Sequence, residues 1–572
     1  MSDSAFPWLW RGLLLAALLI GALVRLPAVS AAYPYLEYVD EGHVLHPVER
    51  TLVTGRWDAG ENNYPELPVL AIAGACRLLS PLAGTWSAAP PLDEVRADYF
   101  YYDQVEPPQL ILVGRALSIL LSLGIILLAG LLARRLAGDV AGGVAALAAA
   151  LLPALVFRGA IVIVDLYAVF FVLAALLLLA GVERPDQLGC LAAAGACCGL
   201  AAVSKYPAVL VSLAVAAVVL LASWRWRERL RGIAVSGAGA VMAAAVVMPS
   251  LWRDPLYVWE NQFARQNRIY GNLEVGSYWQ QTFERLEWDL PALPYPEMGY
   301  IFTAVALAGL VLLIARPSSR RFGIGCVLFA AVLISLYATY SFQAFRNLLP
   351  VAGLACVAAG VAVAAAGERL KRPRLAALAG VALLILLFGP AARDYALDRA
   401  RLVDSRRQAL DWIAATPRAG SSVLILAETA MADSELTRLP GRVRVVRWQG
   451  ARKALRQGKP RFVVVPDIVG RRDEHLVPEA DRGWLLQRYQ VRATFGSEPA
   501  MVATTYWRGN RLLVWVLERR GGWRRREMSE HRSVLPGRLP SIRGPGRSGS
   551  ERTNTRSGGR GFRNRPLRSS SG

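Results

Sequence analysis

Charge is scarce in this sequence, and so are the short motifs that mark many soluble enzymes. Only 19% of its 572 residues are Asp, Glu, Lys or Arg, against about a quarter in an ordinary soluble domain. No stretch reads GxxxxGK[ST], HExxH, CxxC or GxSxG, and no GxGxxG follows a strand and opens a helix. Nucleotide-driven transport, nucleotide-sugar chemistry on a Rossmann domain and zincin proteolysis all lose support. The six cysteines (Cys76, Cys190, Cys197, Cys198, Cys326 and Cys356) fall in apolar surroundings, without metal-site or disulfide spacing. They read as small core residues, and they leave the redox compartment open.

What the chain has instead is grease. Hydrophobic residues make up 54% of it, and the mean hydropathy is +0.34. Apolar runs near 12–31, 110–133, 140–157, 165–181, 189–203, 207–222, 232–249, 300–316, 323–340, 348–366 and 375–390 predict about 11 spans, each long enough or nearly so for a hydrocarbon core about 30 Å thick. The fourth and fifth are short, so one of that pair could be re-entrant. The first run lacks a clear small-residue cleavage site and is followed by further spans, which argues against a cleaved signal peptide. The class is mainly α: a polytopic transmembrane helical bundle, multi-pass in a cell inner or plasma membrane.

The formal charge of +22 resembles a nucleic-acid signal, but its distribution points elsewhere. If the amino terminus is cytoplasmic, "ARRLAGD" (133–139), "ERPDQ" (183–187), "WRWRERLRG" (224–232), "RPSSRR" (316–321) and "GERLKRPR" (367–374) are the inside loops. Four of these five are strongly basic, as the positive-inside rule requires. The long segments 32–109 and 250–299 then lie outside, and no nucleic-acid partner is expected. Within the first outer segment, "VLHPVERTLVTGRW" and "LPVLAIAGACRLLSPLA" predict two interfacial helices. The second is dense in Trp and Tyr, which suit a membrane boundary and also a sugar-binding surface.

Three regions follow from these breaks in composition: 1–390, a membrane domain with both outer loops; 391–519, a small extracytoplasmic α/β domain; and 520–572, a disordered basic tail. In the second, "DYALDRARLVDSRRQALDWIAATP" has helical spacing. "SSVLILAE", "GRVRVVRW", "RFVVVPD" and "RLLVWVLER" read as strands, and "GWLLQRY" as further helix. The tail is rich in Arg, Gly and Ser and too polar to build a core.

Ionisable residues at membrane depth are costly and are usually functional. Arg25, Arg115, Arg158, Asp165, Lys205 and Arg346 all fall near the outer ends of predicted spans, and Asp40 and Glu41 lie just past the first. Such a one-sided gathering suits attack on a sugar held by a lipid phosphate. A carboxylate takes the proton of the acceptor hydroxyl, and fixed cations stabilise the charge growing on the leaving phosphate. The donor carries its own activation, so no nucleotide site is needed.

"GRWDAGENNYPELPVLAI", the run from "VGRALSILLSLG" to "VFRGAIVIVDLYAVFF", "CGLAAVSKYPAVLV" and "YSFQAFRNLLPVAG" follow the Asp-Glu pair in order. Over roughly residues 10 to 370 the chain resembles the GT-C superfamily of integral-membrane glycosyltransferases. The likeness is strongest to the branch holding protein O-mannosyltransferases and the aminoarabinose transferases that modify lipid A. The resemblance implies a GT-C bundle and a polyprenyl-phosphate sugar donor. Asp40 would be the catalytic base with Glu41 adjacent, Asp165 would be the later carboxylate, and Lys205 and Arg346 would contact phosphate or sugar. Arg115 and Arg158 join them as candidate donor contacts. The family often reads "PPL" in the first loop, sometimes after a Lys. Here Tyr64 precedes the first Pro and Glu66 replaces the second, so that Lys is lost or moved, and Tyr64 and Glu66 become candidate polar contacts.

Each assignment has a plainer alternative. Asp40 could cap a helix, Asp165 could pair with Arg158, Lys205 could snorkel, and Arg25 and Arg115 could anchor helix ends. His43 and His46, three residues apart, could face a divalent metal with Glu41 or Glu49, but a third clear ligand is missing; no cofactor is certain. The expected reaction moves a sugar to an acceptor hydroxyl on protein, lipid or glycan at the extracytoplasmic face, with inversion, among membrane lipid. A lipid-linked-sugar flippase, a polymerase-like membrane protein and a non-catalytic relative are the alternatives. No convincing internal repeat supports a transporter.

Overall fold

A computed structural model describes residues 7–56, 64–83, 105, 107–260, 297–338, 345–416, 422–426, 433–439, 441–446, 448–467, 479–495 and 513–520. Most of the expected second outer loop (261–296) and the expected tail from 521 onward lie outside the described residues. Residues up to Arg519 belong to one compact unit.

The apolar runs fold as helices: α1 (Pro7–Arg25), α4 (Gln109–Leu151), α5 (Val164–Leu179), α6 (Leu188–Ala202), α7 (Ser212–Leu220), α8 (Trp226–Val247), α9 (Tyr300–Ala315), α10 (Arg320–Ala338), α11 (Leu349–Arg369) and α12 (Pro373–Arg401). Among the described residues, six helices are long and apolar enough to cross a membrane, and four shorter apolar ones accompany them. Many large apolar side chains point outward, among them Leu15, Leu19, Leu23, Val241, Val246, Leu307, Val311, Leu378 and Leu386. That arrangement is stable in lipid and would be costly in water.

The runs 110–133 and 140–157 form the two arms of α4, broken at Ala137 and Gly138. Gly138 has φ +82, a left-handed conformation that glycine adopts without strain. Arg134 Nε donates to Asp139 Oδ1 at 2.8 Å across the break. The second arm is almost all Ala, Gly and Val, and α11 packs against it as the central helix. The apolar stretch of α11 is 83% buried, against 11% for the peripheral α8.

Small residues allow these backbones to approach closely. A Cβ on Gly360 of α11 would lie 2.3 Å from the Ala141 carbonyl of α4. In α6, one on Gly195 or Gly199 would lie 1.9 Å or 2.1 Å from the Ser236 or Ala240 carbonyl of α8. Gly195 and Gly199 are a GxxxG pair, the spacing that lets helices touch in lipid, where water no longer drives association.

Between α1 and α4 lie α2 (Val39–Thr54) and α3 (Glu66–Ala83), where the sequence predicts two interfacial helices. Their inner faces share one core with the start of α4, built from Leu36, Val44, Leu45, Val48, Val69, Ile72, Leu110 and Ile111.

The last apolar run extends further than its composition predicts. Instead of stopping at 390, α12 continues through Pro390 to Arg401, about 43 Å at 1.5 Å per residue. It leads into α13 (Ser405–Ala415), β1 (Val423–Leu426), β2 (Val443–Val446), α14 (Trp448–Gly458), β3 (Phe462–Asp467), α15 (Glu479–Arg488), β4 (Tyr489–Phe495) and β5 (Leu513–Arg519). The sheet order is β2-β1-β3-β5-β4, with β1 parallel to β2 and β3, and β5 antiparallel to β3 and β4. Alternation places Val423, Ile425, Phe462 and Val464 on the α13 face. Leu424, Leu426, Val463 and Val465 face α14 and α15. β4 and α14 are elements that the sequence reading does not contain. β4 carries a register shift between Val491 and Ala493, which breaks the simple alternation of a strand.

Two expectations follow. Gly199→Leu forces α6 away from the α8 backbone and should cost about 1–3 kcal/mol, read as a lowered thermal midpoint of the detergent-purified protein. In the sheet, burial pushes the Glu518 carboxyl up. Hydrogen bonds from Arg492 and Arg461, with their charges, outweigh that and hold it below its ordinary 4.5. A depressed folded pKa contributes stability above the unfolded pKa, and that stability is lost as pH falls through the folded value. Glu518→Gln should therefore flatten the acid loss of amide protection in β3 and β5 below about pH 4.5, measured by hydrogen exchange.

Candidate functional site

The site begins with the cap of α2. Tyr38 is extended (φ −130, ψ 137) and leads into the helix, placing Asp40 and Glu41 in its first turn, where negative charge suits the helix dipole. Glu41 folds back to form the capping box, and its Oε2 accepts from the backbone N–H of Glu37 at 2.8 Å and of Tyr38 at 3.3 Å. The plainer reading of Asp40, a helix cap, is thus a job done by Glu41.

Glu41 is fully buried and bound from every direction. Arg115 Nε donates to Oε1 at 2.9 Å, Arg115 Nη2 to Oε2 at 2.8 Å, and the Val162 N–H to Oε1 at 3.2 Å. The other terminal nitrogen of Arg115 donates to the Ala31 carbonyl at 2.6 Å. Expected as a catalytic partner and a donor contact, Glu41 and Arg115 form instead a saturated internal pair. Neither has an open face for a proton or a phosphate. Arg158, a third candidate, is likewise engaged. Its terminal nitrogens bind Glu297 at 2.8 and 2.9 Å, at the end of the second outer loop, and the pair is buried. The buried Arg25 donates to the Gly21, Ala149 and Ala150 carbonyls, as a helix-end anchor does.

Asp40 points elsewhere. Its carboxylate is ion-paired with Arg346 and accepts from Tyr64 Oη at 3.3 Å. Arg346 also donates to Tyr38 Oη at 3.4 Å, and its guanidinium lies 5.7 Å from the centre of the Tyr38 ring. The neighbour of Arg346, Asn347, accepts through Oδ1 from Lys205 Nζ at 2.7 Å. Lys205 in turn is ion-paired with Asp165, which opens α5, and sits 5.5 Å from the Tyr337 ring centre. Residues 40, 64, 165, 205, 346 and 347 therefore meet around one 3-10 turn, Phe345–Leu348, which α11 continues directly. Asp165 pairs with Lys205 rather than with Arg158.

Exposure sorts these groups. The side chains of Asp40, Arg346 and Lys205 are 14%, 19% and 16% exposed, while that of Asp165 is 3% exposed. Three of the four charges reach solvent, and the fourth braces Lys205 from within. Glu66 is buried at the start of α3, whose Leu67 N–H donates to the Val203 carbonyl just before Lys205. The His43 ring lies 5.7 Å from the Tyr64 ring, tilted by 55°, and His46 lies 3.4 Å from Glu49. Among the described residues, no three His, Cys, Asp or Glu side chains gather as a metal site.

Tyr38, Asn347 and Tyr337 are site residues missing from the sequence reading. Asn347 alone carried a signal, as the immediate neighbour of Arg346. Tyr38 and Tyr337 were visible only as aromatic residues near span ends.

Glu41→Gln should lower the stability of the purified protein by about 3–5 kcal/mol, because it strands a buried Arg115 charge. The measurement is thermal unfolding in detergent. An unchanged midpoint with lost activity would return Glu41 to the list of reacting groups.

Residues 109–252 match the family model of dolichyl-phosphate-mannose-protein mannosyltransferases. No curated protein matches the chain. Among solved structures, ArnT from Cupriavidus metallidurans bound to undecaprenyl phosphate aligns with a TM-score of 0.51 and 16% identity, covering 90% of this chain and 98% of that one. Its apo form aligns at 0.47 with 16% identity, covering 89% and 97%. The Archaeoglobus fulgidus oligosaccharyltransferase aligns at 0.44 with 11% identity, covering 79% and 67%. The chain shares its fold with ArnT, and residues 109–252 resemble the dolichyl-phosphate-mannose-protein mannosyltransferases.

Proposed function

We propose that this chain is a membrane glycosyltransferase, taking a sugar from a polyprenyl-phosphate donor and passing it to an acceptor hydroxyl at the extracytoplasmic face. The observation that carries the reading is the meeting of Asp40, Arg346, Lys205 and Asp165 around the 345–348 turn. Four charges brought together from segments far apart in sequence, three of them partly exposed, are more than packing needs. The shared fold with a protein solved with undecaprenyl phosphate bound supports a lipid phosphate as the leaving group.

Asp40 takes the proton of the acceptor O–H as that oxygen bonds to the anomeric carbon. The bond from the anomeric carbon to the phosphate oxygen breaks, and its electron pair leaves with the polyprenyl phosphate. Direct displacement from the opposite side inverts the anomeric centre. Arg346 and Lys205 meet the phosphate, and their attraction strengthens as its charge grows. Tyr64 orients Asp40, and Glu41 with Arg115 fixes the helix turn that presents it. On this reading the sheet-bearing segment 391–519 meets the acceptor. The Arg-rich loops at the opposite helix ends support the outward orientation. A divalent metal is not required by this scheme.

Purified protein offered a panel of polyprenyl-phosphate sugars should consume one of them. Asp40→Asn should slow that consumption about 10²–10⁴-fold while leaving the thermal midpoint near wild type. Transfer at the normal rate by the Asn variant would remove Asp40 as the base. Consumption of none of the panel by wild type would remove the whole class.

A further inference from the structure

Both cations assigned to the donor phosphate are already held by carboxylates, but not in the same way. Lys205 is fixed from three sides: by Asp165, which is nearly inaccessible, by Asn347 at 2.7 Å, and by the Tyr337 ring. Arg346 is fixed by Asp40, which is less deeply buried than Asp165, and by the ring and hydroxyl of Tyr38. Asp40 has a second partner that does not involve the guanidinium, Tyr64 Oη at 3.3 Å. One cation is therefore held on a buried carboxylate. The other shares a partly exposed ion pair with the group proposed as base.

We propose that Asp40 and the donor phosphate compete for Arg346, so that phosphate binding draws the guanidinium away and releases the base. This rests on the reading of the site as a lipid-phosphate sugar transferase. In the empty enzyme the Asp40 carboxylate stands in for the phosphate and is masked by its partner. The donor is a phosphodiester with one negative charge, and the released polyprenyl phosphate is a monoester that carries up to two. The pull on Arg346 therefore grows as the glycosidic bond breaks, at the moment when Asp40 must accept a proton. A carboxylate stripped of its counter-cation holds that proton more tightly. Tyr38, touching Arg346 through both its ring and its hydroxyl, lies where it can keep contact through such a shift. The consequence is an order of events: the base is unmasked only when the donor is in place.

Competition of this kind is a coupling free energy, and coupling is reciprocal. Removing the Asp40 charge should tighten binding of undecaprenyl phosphate in detergent by about fivefold or more. The same change made in an Arg346→Gln background should alter affinity less than about twofold, since no shared cation remains. Kd values for wild type, Asp40→Asn, Arg346→Gln and the double variant complete the cycle, with Asp40→Ala as a second route if the Asn variant folds poorly. Because a gain in affinity is expected, misfolding cannot imitate it. Equal gains in both backgrounds would mean simple repulsion between Asp40 and the phosphate, and would overturn the exchange. An unchanged affinity for Asp40→Asn would overturn it as well. If wild type binds no undecaprenyl phosphate at all, the reading of the site falls, and the exchange with it.

Discussion

The ion pair between Glu41 and Arg115 is the interaction on which the rest of the site depends. It joins the first turn of α2 to the start of α4, and it also takes up the N–H groups of Glu37, Tyr38 and Val162 and the carbonyl of Ala31. Two opposite charges without water are tolerable only when their remaining donors and acceptors are satisfied. Here they are, by backbone groups of segments that would otherwise be loops. The pair converts those loops into a fixed rim. Asp40, one residue away from Glu41, is held in place by that rim and free to face the opposite way.

Adjacent carboxylates thereby take different duties. Successive residues of a helix are about 100° apart around its axis, so Asp40 and Glu41 cannot share one environment. Glu41 points into the bundle and supplies the cap, the charge balance and the rigidity. Asp40 points toward Arg346 and Tyr64, with solvent in reach. The same division recurs on the cationic side, where Arg115 and Arg158 are consumed by internal carboxylates and Lys205 and Arg346 stay partly exposed.

Close packing of small residues brings the contributors together. Gly360 over the Ala141 carbonyl sets α11 directly against α4. The 3-10 turn carrying Arg346 and Asn347 is the leading end of α11, so it arrives beside α2 and α5 as a consequence. At the far end of the chain, α12 and α13 return to the same rim. Arg399 pairs with Glu37, Arg406 lies 3.8 Å from the centre of the Tyr35 ring, and the Ala32 N–H donates to the Leu402 carbonyl. The sheet-bearing segment is thus joined to the residues immediately before Asp40.

Much of this was legible in the amino-acid order. The apolar runs marked the helices, because burial in lipid demands a long continuous stretch. The Asp-Glu pair, Asp165, Lys205 and Arg346 stood out because charge near hydrocarbon is expensive. Four of the five strands were visible as β-branched runs, whereas β4, with its bulge and mixed polarity, was not. Sequence could not decide which charges face inward, since a carboxylate that balances a buried Arg and one that stays partly exposed look alike in a sequence. That depends on the rotation of each helix about its axis and on partners 74 or 139 residues away, as for Glu41 with Arg115 and Arg158 with Glu297. Composition and periodicity therefore determined a membrane bundle with charges at one end. Only the tertiary contacts decided that Asp40, Arg346 and Lys205 are the partly exposed ones, because orientation and pairing are properties of packed helices rather than of any one of them.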